Sequence, residues 1–364
     1  MEILVFVVAL VVILLGAELF TNGIEWFGHR LNLGEGAVGS VLAAVATALP
    51  ETLIPVIAII GPIVTGQEAT AGSEEIGVGA ILGAPFTLAT LAMFITGLAV
   101  LIYARRGSRT TDMTVNVGVM TQDVIFFLVC YGIAIGAAFL PEDWRWADYA
   151  VVVALFVLYA FYVRAHFRQE GTADAPELAL LHAVRLPWLG GDIGIHRVDD
   201  RTPVEHHGQP RLWIIVAQTL VALAFIILGA RVFITALEDI SFAIGFDPRL
   251  FALIVAPIAT ELPEKFNSVL WVRTRKDTLA MGNITGAMVF QACFPTAIGI
   301  LFTSWVFTAE SALSFASAGA AILATLLILG PMMRSHRLRG AALLIGGPIY
   351  VIYVIAVIIL PAGG

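Results

Sequence analysis

The chain has 364 residues, of which 59% are apolar and only 13% are charged, and its formal net charge at pH 7 is −7. Soluble domains carry about 25% charged residues, so this composition excludes an ordinary soluble globular enzyme. The negative net charge also excludes the basic surface that a nucleic-acid-binding protein needs. We therefore expect a multi-pass membrane protein whose surroundings are lipid and that has no nucleic-acid partner.

Ten apolar stretches are long enough to cross a bilayer, which takes about 20 residues in a helix. They predict transmembrane helices at residues 3–26, 37–62, 76–103, 117–139, 147–166, 212–236, 249–272, 279–303, 312–332 and 341–360. The polar segment 167–211 divides them five and five and contains four of the seven histidines. We interpret this segment as a flexible linker, with a regulatory metal site at its histidines as the weaker alternative.

The distribution of arginine and lysine predicts how the chain is oriented. These residues gather in segment 167–211 and in the loops between spans 1 and 2, 3 and 4, 7 and 8, and 9 and 10, whereas the loops between spans 2 and 3 and between 8 and 9 have none. Because cytoplasmic loops of membrane proteins are enriched in basic residues, both termini are predicted outside and the linker inside. We expect the protein in the plasma (inner) membrane, with its first span retained as a helix.

An internal repeat relates the two groups of five spans. The sequence LGAELF at 15–20 recurs as LGARVF at 228–233, and ATALPE at 46–51 recurs as ATELPE at 259–264, both shifted by 213 residues. Further along, GAILGA at 79–84 recurs as GNITGA at 282–287. Equivalent helices are five spans apart, an odd number, so the second copy is inverted in the membrane. The predicted fold is therefore all-α, with one five-helix repeat at 1–166 and an inverted one at 212–364, as in secondary transporters.

Each repeat carries one glutamate deep in the membrane. Glu51 and Glu264 lie about fifteen residues into their spans, which places each about 20 Å from the surface. An intramembrane carboxylate costs several kcal/mol unless it is paired, protonated or bound to a cation. We therefore expect the two side chains to face each other and to hold a metal cation or protons between them. The alternative is that each glutamate pairs with a nearby basic residue.

A proline precedes each of these glutamates. Pro50 and Pro263 cannot donate a backbone hydrogen bond, which frees carbonyl oxygens one turn back, near Thr47 and Thr260. Free carbonyls together with carboxylates form an all-oxygen site, which suits hard cations such as Ca²⁺ or Na⁺. In the alternative interpretation, the prolines only kink their helices.

The doubled motif resembles the two alpha-repeat signatures, typically Gly-Thr-Ser-Leu-Pro-Glu, of the sodium/calcium exchanger (Ca²⁺/cation antiporter) superfamily. The resemblance extends over both halves of the chain and includes Gly-Ala-Glu at 16–18 and Gly-x-Ile-x-Gly at 79–83 and 282–286. It implies a sodium/calcium-exchanger-like fold in which Ca²⁺ is shared by Glu51 and Glu264, assisted by the backbone oxygens of Thr47 and Thr260. It also implies that the first and sixth helices slide across the site and alternate its access.

The sequence departs from this family where side-chain oxygens bind sodium ions. The family pattern Gly-Ser-Asn-x-x-Asn (or Asp) has serines where this chain has Ala84 and Ala287, and amide or acidic residues where it has Leu88 and Gln291. Ala48 replaces a further signature serine. Coupling to three sodium ions is therefore disfavoured, and coupling to protons through the glutamates competes with it.

Further polar residues near the motifs are candidate ligands. Glu261 replaces the second signature serine, and its spacing from Lys265 favours a helical ion pair beside the site. The alternatives are that Glu261 is a third ligand or proton carrier, or that Lys265 occupies part of the site as a built-in cation. Asn267, Asn283 and Gln291 are possible additional ligands.

One acidic residue outside the motifs also stands out. Asp123, with Gln122, lies near the start of the fourth span, where it is expected either to line an entrance or to form a polar cap at the membrane surface.

The sequence thus favours a secondary active antiporter that exports Ca²⁺ or a related cation in exchange for H⁺ or Na⁺, with no cofactor. An exchanger for a different metal ion is the main alternative. An intramembrane hydrolase that uses the glutamate pair is less favoured, since no His-Glu-x-x-His motif or obvious Ser/His dyad is found in the spans. A channel is also less favoured, and saturable counterflow would distinguish it from an antiporter.

Overall fold

A computed structural model describes residues 2–30, 37–65, 73–168, 211–245, 261–309 and 311–359. Its helices are α1 (Glu2–Arg30), α2 (Ala44–Thr65), α3 (Ser73–Thr87), α4 (Met93–Arg105), α5 (Val117–Ala137), α6 (Arg145–Arg168), α7 (Leu212–Ile244), α8 (Leu262–Arg273), α9 (Asp277–Phe302), α10 (Ala312–Ser335), α11 (Gly340–Leu343) and α12 (Gly346–Ile359). Two short strands, β1 (Asp112–Met113) and β2 (Leu338–Arg339), pair antiparallel.

The described helices confirm an all-α membrane fold. In this part of the chain, eight helical segments are long and apolar enough to cross a bilayer, and a bent pair, Gly39–Leu49 and Glu51–Val64, makes a ninth. The predicted count of ten is not confirmed. Residues 249–260 of the predicted seventh span lie outside the described ranges, and the remainder of that span, α8, has 12 residues.

Two short π-helical segments interrupt the regular helices. The first, Val38–Ala43, leads directly into α2, and the second, Leu88–Ala92, joins α3 to α4. α2 then bends by 49° between Leu49 and Glu51. The bend falls at Pro50, where the sequence predicts a kink because proline cannot donate to the preceding turn. Irregular backbone of this kind inside a membrane is found where other protein elements surround it.

The helix α9 forms the centre of the bundle. It packs against α2, α3, α5, α6 and α8, and 83% of it is buried inside the protein. Small residues make this packing possible, as expected for helices in lipid. A methyl group added at Gly286 would collide with the backbone of Ser40, and one at Gly282 would lie 2.8 Å from the Ser40 hydroxyl. The π-helical segment before α2 therefore lies directly on the glycine face of α9.

The helices α1 and α7 pack against each other at the periphery. A methyl group at Gly16 would lie 3.0 Å from Cγ1 of Ile226, and one at Gly229 would lie 2.8 Å from Cγ1 of Ile13. Both contacts join the same two repeat positions, related by the 213-residue shift. Residue numbers fall along α7 as they rise along α1, so these helices run antiparallel, as an inverted repeat requires.

Three loops from different parts of the chain meet at one end of the bundle. Asp112 in β1 pairs with Arg339 in β2, which connects the loop before α5 to the loop before α11. Arg109 binds both carboxylate oxygens of Asp277 at 2.8 and 2.7 Å, which adds the start of α9. All three are loops in which the sequence concentrates arginine.

Candidate cation-binding site

The carboxylate of Glu51 lies inside the bundle. Glu51 directly follows the Pro50 bend of α2 and is 4% exposed. α2 is held between α3, α7 and α9 and also contacts α8, the helix on which Glu264 stands. The local sequence thus places an acidic side chain at a bend, in the middle of the packed helices, where an uncompensated negative charge is costly.

Thr47 and Asn283 meet one turn before Glu51. The Thr47 hydroxyl lies 3.0 Å from Oδ1 of Asn283 on α9 and 3.0 Å from the carbonyl oxygen of Ala43. A hydroxyl has one proton to donate, so its lone pairs remain available as acceptors for a cation. The structure therefore brings together one predicted ligand from each repeat, both buried.

Two buried amides of α9 retain unused hydrogen-bonding capacity. Among the described residues, Nδ2 of Asn283 and both amide atoms of Gln291 have no hydrogen-bond partner. Asn283 is fully buried and Gln291 almost so. Buried polar atoms without partners are rare in proteins and require an explanation, such as a bound ion or water.

Glu261 forms the ion pair that its spacing predicts. Its Oε2 lies 2.9 Å from Nζ of Lys265, one helical turn away, and the two side chains are 0% and 5% exposed. The other carboxylate oxygen, Oε1, has no hydrogen-bond partner among the described residues. The Glu261–Lys265 pair therefore has no net charge, and its Oε1 atom can still accept a hydrogen bond or bind a cation.

The positions that lack the family's oxygen side chains are packed with apolar atoms. Ala48, Ala84, Leu88 and Ala287 are all buried, with at most 4% exposed. No hydroxyl or amide can reach a cation from these places. The positions that lack the predicted sodium ligands thus lie in buried parts of the bundle.

Three predicted ligands lie outside what the structure describes. These are Thr260 and the side chains of Glu264 and Asn267. The expected approach of Glu51 to Glu264 accordingly stays a prediction.

Asp123 occupies neither of the places that we expect from the sequence. It is fully buried, not at an entrance or at the membrane surface, and it accepts hydrogen bonds from Ser40, Tyr162 and Thr285 and contacts His166. Sequence reasoning missed these partners because they come from three separate elements and share no motif. The one available signal was a histidine, His166, at the end of an otherwise apolar span.

Comparison with known proteins agrees with this architecture. The family described as "Sodium/calcium exchanger protein" matches residues 1–165 and 214–359 of the chain. The chain belongs to the sodium/calcium exchanger family. This family consists of cation antiporters, so the intramembrane hydrolase considered above is excluded.

Individual relatives of this exchanger are distant but cover nearly its whole length. A putative antiporter, CaxA, of Alkalimonas amylolytica is 24% identical over 342 residues, 93% of each chain. The crystal structure of the H⁺/Ca²⁺ exchanger CAX superposes with a TM-score of 0.71 at 13% identity, covering 98% of this chain and 86% of that one. The sodium–calcium exchanger NCX_Mj gives a TM-score of 0.60 at 15% identity, covering 99% and 98%. These two structures share the fold of this exchanger.

Proposed function

We propose that this exchanger moves Ca²⁺, or a divalent cation of similar size, out of the cell in exchange for protons. Glu51 and Glu264 act as the shared carriers, and Thr47 and Thr260 contribute oxygens. The observation that carries the proposal is the burial of Glu51 at the bend of α2, next to the Thr47–Asn283 contact. Asn283 and Gln291 supply further oxygens, and water completes the six to eight ligands that Ca²⁺ takes.

Competition for negative charge enforces the exchange. One divalent cation or two protons neutralise two carboxylates equally well, whereas the empty site retains two buried negative charges. Such a site is too costly to carry across the bundle. The protein therefore changes its access only when it is loaded, which is the condition for antiport.

Protons are favoured over sodium ions because of what surrounds the glutamates. A proton needs only the carboxylate, whereas each sodium ion needs several oxygens. The buried apolar side chains of Ala48, Ala84, Leu88 and Ala287 remove candidate ligands from both repeats. Access then alternates as the peripheral α1–α7 pair slides over the central helices.

The proposal is tested by Ca²⁺ flux in proteoliposomes under an imposed pH gradient or an imposed Na⁺ gradient. We expect the pH gradient to drive uptake and the Na⁺ gradient to have no effect. Glu51→Gln abolishes the flux, while Asp239→Asn, which changes an exposed carboxylate of α7, leaves it unchanged. Near-normal flux in a folded Glu51→Gln variant rejects the assignment, and uptake driven by Na⁺ alone rejects proton coupling.

A further inference from the structure

A second buried polar cluster lies apart from the candidate cation site. Four elements contribute to it: Ser40 from the π-helical segment, Asp123 from α5, Tyr162 and His166 from α6, and Thr285 from α9. Each of these residues is at most 2% exposed. It lies where α5 begins and α6 ends, the end predicted to face the cytoplasm. The exchange mechanism makes no use of it.

The contacts of His166 require a proton between its ring and Asp123. Nδ1 lies 3.0 Å from the carbonyl oxygen of Tyr162, which can only accept, so Nδ1 carries a hydrogen. Nε2 lies 2.9 Å from Oδ1 of Asp123, an ion-pair distance, although the two atoms are not aligned as a hydrogen bond. A carboxylate also only accepts, so a second hydrogen lies on Nε2 or on Asp123 itself. In either arrangement the pair holds one proton more than a neutral ring beside an ionised carboxylate.

Asp123 is also held by three hydroxyl groups. Oδ2 accepts from Ser40 at 3.0 Å and from Thr285 at 2.6 Å, and Oδ1 accepts from Tyr162 at 3.0 Å. The Tyr162 hydroxyl lies in addition 2.9 Å from the carbonyl oxygen of Ser40. Since it has a single proton, it donates either to Asp123 or to the backbone of Ser40. The protonation of the pair is thereby connected to the backbone of the π-helical segment.

Among the residues that the structure describes, no other charged group pairs with Asp123 in place of this proton. The groups that face the pair from α9 and from the π-helical segment, Thr285 and Ser40, do not titrate. On α6 the further titratable neighbour is Tyr159, whose ring centre is 5.7 Å from that of Tyr162. Within the described residues, no lysine or arginine forms an ion pair with Asp123.

We propose that Asp123 and His166 form a proton-binding site, separate from the cation site, whose occupancy controls how the Val38–Ala43 segment packs on α9. With the proton bound, the pair is neutral and both ring nitrogens keep their contacts. Without it, a net negative charge stays buried and one ring nitrogen faces an acceptor with no hydrogen between them. The His166 ring then moves away from Asp123. The Tyr162 hydroxyl donates its one hydrogen to Asp123, so the carbonyl oxygen of Ser40 loses its hydrogen-bond donor.

A change in how the Val38–Ala43 segment packs affects the cation site because this segment is covalently continuous with α2. Ser40 lies against Gly282 and Gly286 of α9, and its segment continues directly into α2, which carries Thr47 and Glu51. Loss of the proton therefore loosens the start of the helix that positions the ligands. The pair gives the exchanger a sensor of pH at one end of the bundle.

Two measurements in lipid bilayers test the site without relying on transport. The first is ¹⁵N and ¹³C NMR of labelled wild-type protein, with the ring signals of His166 identified by their loss in His166→Gln and the Asp123 carboxyl signal by its loss in Asp123→Asn. We expect one proton shared by the pair at pH 7. An ionised carboxylate next to a singly protonated ring would overturn the proposal.

The second measurement is hydrogen exchange of the amides of residues 38–46, taken relative to α10, between pH 6 and 9. In wild type we expect the relative exchange rate of this segment to rise severalfold, as a step, at the pH where the pair loses its proton. In His166→Gln we expect this step to be absent. His336→Gln, a change at an exposed histidine, keeps it. An identical profile in wild type and His166→Gln overturns the link to the segment.

Tyr162→Phe provides a second variant if His166→Gln does not fold. It keeps both titratable groups and removes only the hydroxyl that joins Asp123 to Ser40, so the NMR signals stay and the step in hydrogen exchange shrinks. An unchanged step counts against the link. If wild type carries no Ca²⁺, the proposed function fails, while these measurements still decide on the proton site.

Discussion

Gly16 of α1 lies against Ile226 of α7, and its repeat equivalent Gly229 lies against Ile13, the equivalent of Ile226. The two halves thus contact each other through one arrangement that occurs twice. Each contact needs a glycine because the opposite isoleucine already fills the space. The α1–α7 pair is also the part of the exchanger that we expect to slide.

Gly16→Ala is expected to lower the free energy of unfolding by about 1–3 kcal/mol, because the added methyl group lies 3.0 Å from Ile226 and 3.2 Å from the carbonyl oxygen of Ala222. Thermal unfolding in detergent measures this. Combining it with Ile226→Ala removes the nearest crowding atom, Cγ1 of Ile226, so the double variant loses less than the sum of the single losses. Gly132→Ala, with no atom within 4 Å of the new methyl group, is the control. Strictly additive losses would contradict the contact.

Thr47→Val is expected to weaken Ca²⁺ binding about twofold to thirteenfold, since it removes the side-chain hydroxyl next to Asn283, an oxygen contact worth about 0.5–1.5 kcal/mol. Isothermal titration with Ca²⁺ measures the change. Thr52→Val is the matched control, because Thr52 is also buried in α2 and its hydroxyl donates to the carbonyl oxygen of Ala48 at 2.8 Å. Equal effects of the two substitutions would show that Thr47 has no part in binding.

Lys265→Met is expected to destabilise the exchanger by about 3–5 kcal/mol, because it leaves the carboxylate of Glu261 buried without its cation. Glu261→Gln has the same kind of effect on Lys265. The double variant Glu261→Gln/Lys265→Met buries no charge and is therefore more stable than Lys265→Met alone. Chemical unfolding of the three variants checks this order, and a double variant that is the least stable of them would show that the ion pair contributes little.

Asp277→Asn is expected to open the end of the bundle where the three loops meet. Asp277 accepts hydrogen bonds from both terminal nitrogens of the buried Arg109 guanidinium and, at 2.8 Å, from the backbone N–H of Thr114. Its neutral replacement weakens these bonds, and trypsin then cleaves at residues 105–109 severalfold faster. Asp148→Asn removes only a 3.6 Å ion pair with the exposed Arg145 and serves as the control. Equal cleavage rates would contradict a structural role for the buried pair.

The sequence predicts the fold and the acidic motif because both depend on local patterns. Long apolar stretches specify spanning helices, and the doubled Pro-Glu motif identifies the bend of α2 at Pro50. The Glu261–Lys265 pair follows from helical spacing alone. By contrast, the contact of Thr47 with Asn283 and the burial of Asp123 depend on how distant helices pack, which no spacing rule encodes. From sequence alone, an aspartate that is buried near the start of a helix cannot be distinguished from one that caps the helix at the surface, because the difference depends on its partners in the fold.

The uneven burial of the helices has a consequence for how the membrane influences the exchanger. The central helix α9 is 83% enclosed by protein, whereas the spanning parts of α1 and α7 are only 24% and 33% enclosed. We therefore expect lipid chains to cover most of the surface of the pair that we propose to slide, and little of α9, which carries the proposed ligands Asn283 and Gln291. Turnover should accordingly respond to acyl-chain length and fluidity, while the preference among cations stays the same in thin and thick bilayers.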